Sequence, residues 1–205
     1  NQIGVPLTIL SAQEGTEIMV LEMGASHIGE IRTLCLIARP DYGIITNIGA
    51  AHMEGFGSIE GVAKAKTELY EHLRKVNGIA FYNDRDRLIS SKIYGMVNRA
   101  VPFSDPAGTA LKAVPEITGL NLAVNVKYRK KKLKVQTKLF GAYNADNVRA
   151  AMAVGLFFGV DIEDIADAIE NYEPEDNRSR VIVTENNTLI SDSYNANPVS
   201  MKLAL

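Results

Sequence analysis

The chain has 205 residues, enough for one large domain or for one domain and part of another. Apolar residues make up 46% of it, which can fill a core, and a net charge of −2 gives no sign of a nucleic-acid or anionic-membrane partner. The single cysteine, Cys35, excludes an internal disulfide framework and lies on a predicted helix face, which favours a core role. No apolar run approaches the about 20 residues of a membrane span and no signal peptide is visible, so we expect a cytoplasmic protein.

The first hundred residues alternate between predicted strands and helices. Residues 3–10 fit either a helix or a strand, and Ser26 is expected to cap a helix that stops at Arg39-Pro40. Two more helices are predicted, after Ser58 and over 88–94. Strands are predicted over 17–22, 42–47, 79–82 and 99–103. This order predicts an α/β fold in which a mostly parallel sheet is flanked by helices.

After Ser104 the pattern changes to short β-like runs, which predict a small antiparallel region. Alternation over 120–128 and 132–140 indicates a hairpin, and its basic tip is expected to be solvated, with phosphate binding as the alternative. Helices are predicted over 144–158 and 162–172, the second with Asp161 as N-cap and Asp164 as a capping-box partner, and a hairpin over 181–191. Pro198 is expected to start a last helix.

The stretch from Thr46 to Leu73 combines a strand end, a Gly-rich loop and a helix. At about 100° per residue, Lys66 falls within the apolar stripe of this helix, whereas Lys64 points to the opposite side. The members of the stripe are Ile59, Val62, Ala63, Leu69, Tyr70 and Leu73. A lysine that faces the sheet costs free energy unless it is paired, neutralised or modified. The alternative is that its stem follows the apolar surface while its ammonium reaches water.

Polar side chains follow the predicted strands and could converge at one edge of the sheet. Glu22 and Asn47 come at two strand ends, His52 lies in the Gly-rich loop, and Lys66 follows it. Ligands of open α/β sheets bind at the carboxyl ends of the strands, and Glu and His are ligands of divalent cations, although Mg²⁺ prefers oxygen. A lysine carbamylated by CO₂ would be an anion suited to such a site. The alternatives are a salt-bridged carboxylate, a hydrogen-bonded loop histidine and a turn-forming asparagine.

Two asparagines, Asn144 and Asn147, occupy one face of a predicted helix start. Paired amides can read a purine edge, while Asn144 alone is also explained as an N-cap. Arg178 and Arg180 lie in a loop before a hairpin, where either could clamp a phosphate or remain solvated.

Five stretches taken in order closely resemble the Mur ligases: LEMGASHIGEI, ITNIGAAHMEGFGSIEGVAKAKTEL, LFGAYNADNVRAA, DNRSR and SDSYNANPVSM. The resemblance covers nearly the whole chain and is strongest to the MurF type, which adds D-alanyl-D-alanine to UDP-muramoyl-tripeptide in peptidoglycan synthesis. It implies ATP and Mg²⁺ as cofactors and small-molecule substrates, with no nucleic acid and no membrane insertion.

The resemblance also implies roles for individual residues. Glu22 would match the Mg²⁺-binding glutamate, His52 the histidine of a second metal site, and Lys66 the carbamylated lysine. Asn47 is placed with the nucleotide-binding residues. Further along the chain, Asn144 and Asn147 would match the asparagines on the adenine side of the nucleotide. Arg178 would match the arginine that reaches the γ-phosphate, and Asp192 would match the acidic residue near the ribose. Tyr194, Asn195 and Asn197 belong to the same motif as Asp192.

The sequence departs from the family pattern in two places. The family's Gly-rich P-loop, with its Lys and Ser/Thr, is absent, and in the family it lies just upstream of the stretch that resembles NQIGVPLT. Tyr143 stands where the family often has His. We therefore expect 1–190 to be the central ATP-binding domain without its first strand and P-loop, and 191–205 to open the C-terminal domain. The N-terminal domain and most of the C-terminal domain are expected outside the chain.

Three other functions compete with this interpretation. One is another amide ligase of the same superfamily, such as a different Mur ligase or a folyl-polyglutamate-type enzyme, against which the SYNANP stretch argues. Another is a catalytically inactive binding or scaffold module that kept the fold. The third is a nucleotide-binding protein unrelated to ligation.

Overall fold

A computed structural model describes residues 1–49, 53–174 and 180–191 of the protein. The chain divides into two compact units, Asn1–Ala100 and Val101–Leu205. Within the described residues, no helix combines the length and the apolar character that crossing a membrane requires.

The first unit is built on a three-stranded sheet in the order β1-β2-β3. Strand β1 (Tyr42–Ile44) pairs in parallel with β2 (Ile79–Tyr82), and β3 (Arg99–Pro102) is the other neighbour of β2. The helices of this unit are α1 (Gly4–Leu10), α2 (Glu30–Ala38), α3 (Met53–Phe56), α4 (Ile59–Val76) and α5 (Arg87–Ile93). The parallel pair joined through α4 confirms the predicted α/β class. Residues 3–10, which fitted either element, form a helix.

Helix α4 begins and ends at the residues that its sequence indicates. The Ser58 side chain accepts a hydrogen bond from the Gly61 N–H, and Asn77 closes the helix in the left-handed region with a φ of 54°. Every predicted stripe position is buried except Ile59, which is 43% exposed. Lys66 is half-buried and Lys64 is exposed, as the helical periodicity predicts.

Two expectations ahead of α2 are wrong. Residues 17–22 form no strand, because an apolar run pairs only where a neighbour covers it, and Ile18 and Val20 are 60% and 88% exposed. The residue at the N-cap of α2 is Gly29 rather than Ser26. The Ser26 N–H is instead bound by the Glu30 carboxylate, which holds residues 26–29 in a turn before the helix.

The second unit contains a five-stranded antiparallel sheet in the order β4-β5-β6-β7-β8. The strands are β4 (Leu111–Thr118), β5 (Asn121–Tyr128), β6 (Lys131–Phe140), β7 (Arg180–Val183) and β8 (Thr188–Ser191). The two predicted hairpins, β5-β6 and β7-β8, are confirmed, while β4 was not predicted. Within the described residues, the antiparallel sheet has more strands than the parallel one, which exceeds the small region expected.

Two helices cover this sheet: α6 (Ala145–Phe157), after a 3-10 turn at Ala142–Asn144, and α7 (Ile162–Asn171). Apolar side chains of α6 and α7 join those of β4, β5 and β6 in one buried cluster. Gly159 ends the first helix with a φ of 82°. Asp161 is the N-cap of α7, as predicted, but its side chain makes no cap hydrogen bond.

Among the described residues, β7 pairs with β6 at one position, Leu139↔Arg180. Helix α7 packs along β6, and the Glu170 carboxylate accepts the Gln136 N–H at 2.8 Å. Lys138 forms an ion pair with Glu173 just beyond the helix. Charged groups therefore occupy an edge that another strand could otherwise extend.

The first unit has its own apolar core, to which α2, α4 and α5 contribute. Cys35 lies in that core with 1% of its surface exposed, as predicted. Burial, assisted by the nearby Glu68 charge, raises the pKa of the Cys35 thiol to about 11.

Candidate active site

Lys66 and Asn47 meet just beyond β1, which ends at Ile44 rather than at Asn47 as the sequence predicts. The Lys66 Nζ donates hydrogen bonds to the Asn47 backbone oxygen at 2.6 Å and to its side-chain Oδ1 at 3.3 Å. Helix α4 brings this about because Lys66 lies on the face that packs toward the sheet. The structure thus joins two of the predicted site residues that are 19 positions apart in the sequence.

The surroundings of Lys66 make its ammonium form less favourable than it is in water. Burial lowers the pKa of the Lys66 ammonium below its ordinary value. The two Asn47 oxygens accept two hydrogen bonds from the ammonium but carry no full charge that would offset desolvation. An amine with a depressed pKa is a better nucleophile near neutral pH, which is the condition for reaction with CO₂.

Glu22 lies in the segment before α2 and is exposed. Within the described residues it shares no hydrogen bond with Asn47 or Lys66, and no group of three or more His, Cys, Asp and Glu residues forms a metal cage. The available donors still fit Mg²⁺, because this ion commonly binds one or two carboxylates and retains several waters. The Glu22 carboxylate and the Asn47 oxygens are donors of that hard type.

The turn that follows Glu22 is organised by two carboxylates. Glu30 Oε2 accepts the N–H groups of Ser26 at 2.6 Å and His27 at 3.1 Å, and these bonds lower the Glu30 pKa. Glu68, on α4, accepts the N–H groups of Gly29 and Arg32 at the start of α2. These bonds connect the segment that carries Glu22 to the helix that carries Lys66.

Gly55 brings the Gly-rich loop against the same turn. A Cβ at this position would lie 2.1 Å from the Ser26 carbonyl oxygen, so only glycine permits the approach. Phe56 packs with Val62 and Ala65 of α4, and Ala25 and Ile48 lie against them. Apolar contacts therefore join the loop, α4 and the turn into one packed region.

Asn144 and Asn147 interact directly in the second unit. Asn144 is buried, its Nδ2 donates to the Phe140 carbonyl oxygen at 2.9 Å, and its Oδ1 accepts from the Asn147 Nδ2 at 3.0 Å. Asn144 is the N-cap of α6 by position, but its side chain does not cap the helix. Asn147 is exposed and is held in orientation by its neighbour.

Two residues of the basic hairpin tip make local contacts. Lys131 forms an ion pair with Glu163 at the start of α7. The Arg129 guanidinium lies 5.3 Å from the centre of the Tyr128 ring, in cation–π contact. Three predicted site residues, His52, Arg178 and Asp192, lie outside the described residues, as do Tyr194, Asn195, Asn197 and the helix expected from Pro198.

Sequence reasoning missed Glu68 and Gly55. On the helical wheel of α4, Glu68 lies nearly opposite the apolar stripe, so periodicity places it in solvent. It is buried because α2 covers that second face of the helix. A faint signal is the spacing of Ala65, Glu68 and His72, which marks a second row along the helix.

Comparison with known proteins gives a family match. The family described as the Mur ligase middle domain matches residues 1–155. The UDP-N-acetylmuramoyl-tripeptide--D-alanyl-D-alanine ligases of Bacillus subtilis and Escherichia coli are 35% and 34% identical over the whole of this chain. The chain covers 44% and 46% of those proteins, so it spans less than half of their length.

Solved structures agree with the sequence relatives. MurF from Acinetobacter baumannii superposes with a TM-score of 0.86 at 30% identity, covering 100% of this chain and 45% of that one. MurF ligase from Thermotoga maritima, solved in complex with ADP, gives a TM-score of 0.81 at 27% identity and covers 98% and 46% of the two chains.

Proposed function

Since the chain belongs to the Mur ligase family through its middle domain, we propose that it is part of an ATP-dependent ligase that adds D-alanyl-D-alanine to UDP-N-acetylmuramoyl-tripeptide. The complete enzyme would act in the cytoplasm in peptidoglycan synthesis. Residues 1–190 would form the central domain without its first strand and P-loop, and 191–205 would open the C-terminal domain.

The observation that carries the proposal is similarity along the entire chain to ligases of one acceptor specificity. Sequence identity to the Bacillus subtilis ligase is 35% over the whole of this chain, and the match includes the stretches around Glu22, Lys66 and Asn147. The structure adds physical support, because a lysine with a lowered pKa is held just beyond a strand end by two oxygen atoms.

The proposed reaction has two steps. The terminal carboxylate of the tripeptide attacks the γ-phosphorus of ATP, and the bond to the β-γ bridging oxygen breaks to release ADP and leave an acyl phosphate. The amine of D-alanyl-D-alanine then attacks the acyl carbon, phosphate leaves, and the amine gives up a proton. Positioning and charge stabilisation provide most of the catalysis in phosphoryl transfer.

The chain's own residues would hold and orient the reactants. Asn147, oriented by Asn144, would contact the adenine, and Arg178 would reach the γ-phosphate. Lys66 would act as a carbamate, held just beyond β1 beside Asn47. Mg²⁺ would be held by Glu22, His52 and the carbamylated Lys66, and when bound it would neutralise charge on the transferring phosphoryl group.

The test is ATP-dependent phosphate release by the full-length protein with UDP-muramoyl-tripeptide and a panel of acceptors. We expect release that depends on D-alanyl-D-alanine and is absent with single amino acids. Release with a single amino acid would place the protein among the sister ligases. No release with any acceptor from a folded protein would favour the scaffold function.

A further inference from the structure

Glu68 is a buried carboxylate to which the proposed mechanism gives no role. Its side chain is only 1% exposed, although it lies on a helix whose other acidic residues reach solvent. A carboxylate is retained in such a place only when hydrogen bonds replace its lost water. Its partners therefore indicate what it does.

The hydrogen-bond partners are backbone N–H groups at the start of α2, and the Arg32 guanidinium forms a longer ion pair with Glu68 Oε1 at 3.9 Å. Glu68 Oε1 accepts the Gly29 N–H at 2.7 Å, and Oε2 accepts the Arg32 N–H at 2.9 Å. Gly29 is the N-cap and has no side chain to perform this task. A single carboxylate, from 39 residues away, thus satisfies the two N–H groups that a capping box would satisfy locally.

The same turn is fixed from two other directions. Glu30 binds the N–H groups of Ser26 and His27, and the backbone of Gly55 approaches the Ser26 carbonyl oxygen. These contacts link the residues from Ser26 to Arg32 into one hydrogen-bonded segment. Glu68 is its hydrogen-bonded attachment to α4.

Helix α4 carries Lys66 on one side and Glu68 on the other. Lys66 and Glu68 are two residues apart, which is a rotation of about 200°, so the two side chains leave opposite sides of the helix. Lys66 reaches Asn47 just beyond β1, and Glu68 reaches the start of α2. The segment that carries Glu22 ends in the turn that Glu68 holds.

We propose that Glu68 is a positioning residue that fixes the Glu22-bearing segment to the Lys66 helix and so sets the separation of the two groups that would share the metal. This inference rests on the proposed function, because that function assigns Glu22 and Lys66 to one site. Groups that hydrogen-bond directly to metal ligands typically contribute 10- to 100-fold to metal affinity, and since Glu68 acts through the backbone after Glu22, we expect an effect at the lower end of that range.

The test replaces Glu68 with glutamine in the full-length protein. Glu68→Gln keeps the shape but leaves one acceptor oxygen for two N–H donors. We expect amide hydrogen exchange to accelerate by about tenfold at Gly29 and Arg32 and also at Met23 to Ser26, since one hydrogen bond is lost. The Mg²⁺ concentration for half-maximal ATP turnover should rise by about tenfold, with kcat at saturating Mg²⁺ nearly unchanged.

Glu71→Gln is the matched control. Glu71 is on the same helix, carries the same charge and also contacts the Arg32 guanidinium, at 3.2 Å, but among the described residues it accepts no backbone N–H. This variant should change neither the exchange rates nor the Mg²⁺ dependence. If Glu68→Gln does not fold, Glu68→Asp serves instead, because its shorter side chain keeps the charge but cannot span both N–H groups.

The outcomes separate this inference from the proposed function. If Glu68→Gln leaves amide exchange at Met23 to Ser26 unchanged, the inference is overturned. Faster exchange with an unchanged Mg²⁺ dependence also overturns it, since Glu68 would then be only a helix cap. An inactive wild-type protein refutes the proposed function. In that case the exchange rates at Met23 to Ser26 alone decide whether Glu68 fixes the segment.

Discussion

Lys66 occupies a helix position that an apolar residue would ordinarily fill, and burial lowers the pKa of its ammonium. We predict that Lys66→Met raises the thermal unfolding midpoint, because the buried charge is removed while the volume is kept. The same substitution should lower ATP turnover of the full-length protein at least about a hundredfold. Lys64→Met, at an exposed position on the same helix, should change turnover little. Near-normal activity of Lys66→Met would refute the role of Lys66.

The lowered pKa of Lys66 also gives a pH prediction. Since its pKa is lower in the folded than in the unfolded protein, the cost that this lysine adds to folding is full below the folded pKa. The cost falls as pH rises from the folded to the unfolded pKa and is absent above the unfolded pKa. The neutral amine that reacts with CO₂ increases in the same direction. After removal of CO₂, bicarbonate should therefore restore turnover more fully at pH 9 than at pH 7. Restoration that is equal at both pH values would contradict the prediction.

Asn144 and Asn147 should respond differently to truncation. Asn144→Ala leaves the Phe140 carbonyl and the Asn147 amide without their partner, so we expect a loss of about 1–3 kcal/mol in stability. Asn147→Ala removes an exposed side chain and should leave the unfolding midpoint nearly unchanged, while the KM for ATP rises by about tenfold. Steady-state kinetics and thermal unfolding measure both effects. A stability loss with Asn147→Ala as large as that with Asn144→Ala would contradict this division.

The direction of Lys66 could be predicted from sequence, whereas the burial of Glu68 could not. Lys66 follows from the period of α4 alone, because the apolar stripe defines one face. Glu68 depends on α2 covering the opposite face, and helical periodicity carries no information about a second neighbour. The internal pairing of Asn144 likewise depends on the path of the chain at Phe140.

At the scale of elements, helix starts were predicted better than strands. Ser58 and Asp161 both stand at N-caps, because cap preference is local chemistry. The strand expected over 17–22 does not form, because pairing is a property of two segments. The start of α2 was misplaced because its cap comes from Glu68, far away in the sequence.

Two aspartates at N-caps offer a test of what the cap bond contributes. Asp86 accepts the N–H groups of Leu88 and Ile89 at the start of α5, whereas Asp161 makes no side-chain cap bond at the start of α7. We expect Asp86→Ala to cost about 1 kcal/mol. Asp161→Ala should stay within about 0.5 kcal/mol of wild type. Denaturant unfolding of the full-length variants measures both losses of stability. Equal losses would contradict the prediction that only the Asp86 side chain stabilises its helix by capping.

At the scale of the whole molecule, the chain contains the residues predicted to face adenine and metal but no P-loop sequence. We predict that this chain alone neither turns over ATP nor binds it at micromolar concentration, because most phosphate contacts come from such a loop. Isothermal calorimetry with ATP and Mg²⁺ checks this, with the full-length protein as the control. Micromolar binding by the chain alone would contradict this prediction.

The fold class was predictable because it depends on the order of elements, which periodicity shows along the whole chain. The change of pattern after Ser104 indicates to within a few residues where the second unit begins, whereas the five-stranded extent of the antiparallel sheet was not predictable, because β4 carries no clear alternation. Its residues Leu111, Ala113 and Val114 are mixed with Pro115 and Glu116, which weakens the alternation that identifies a strand.

The burial of Cys35 makes it a built-in reporter of transient opening. A thiol with a pKa of about 11 inside the core is almost entirely protonated and shielded at neutral pH, so alkylating reagents can modify it only while α2 is detached. The labelling rate would therefore measure how often the first unit opens, without interference from any other thiol of this chain. Slower labelling in the presence of nucleotide would show that ligand binding reduces the opening of this unit.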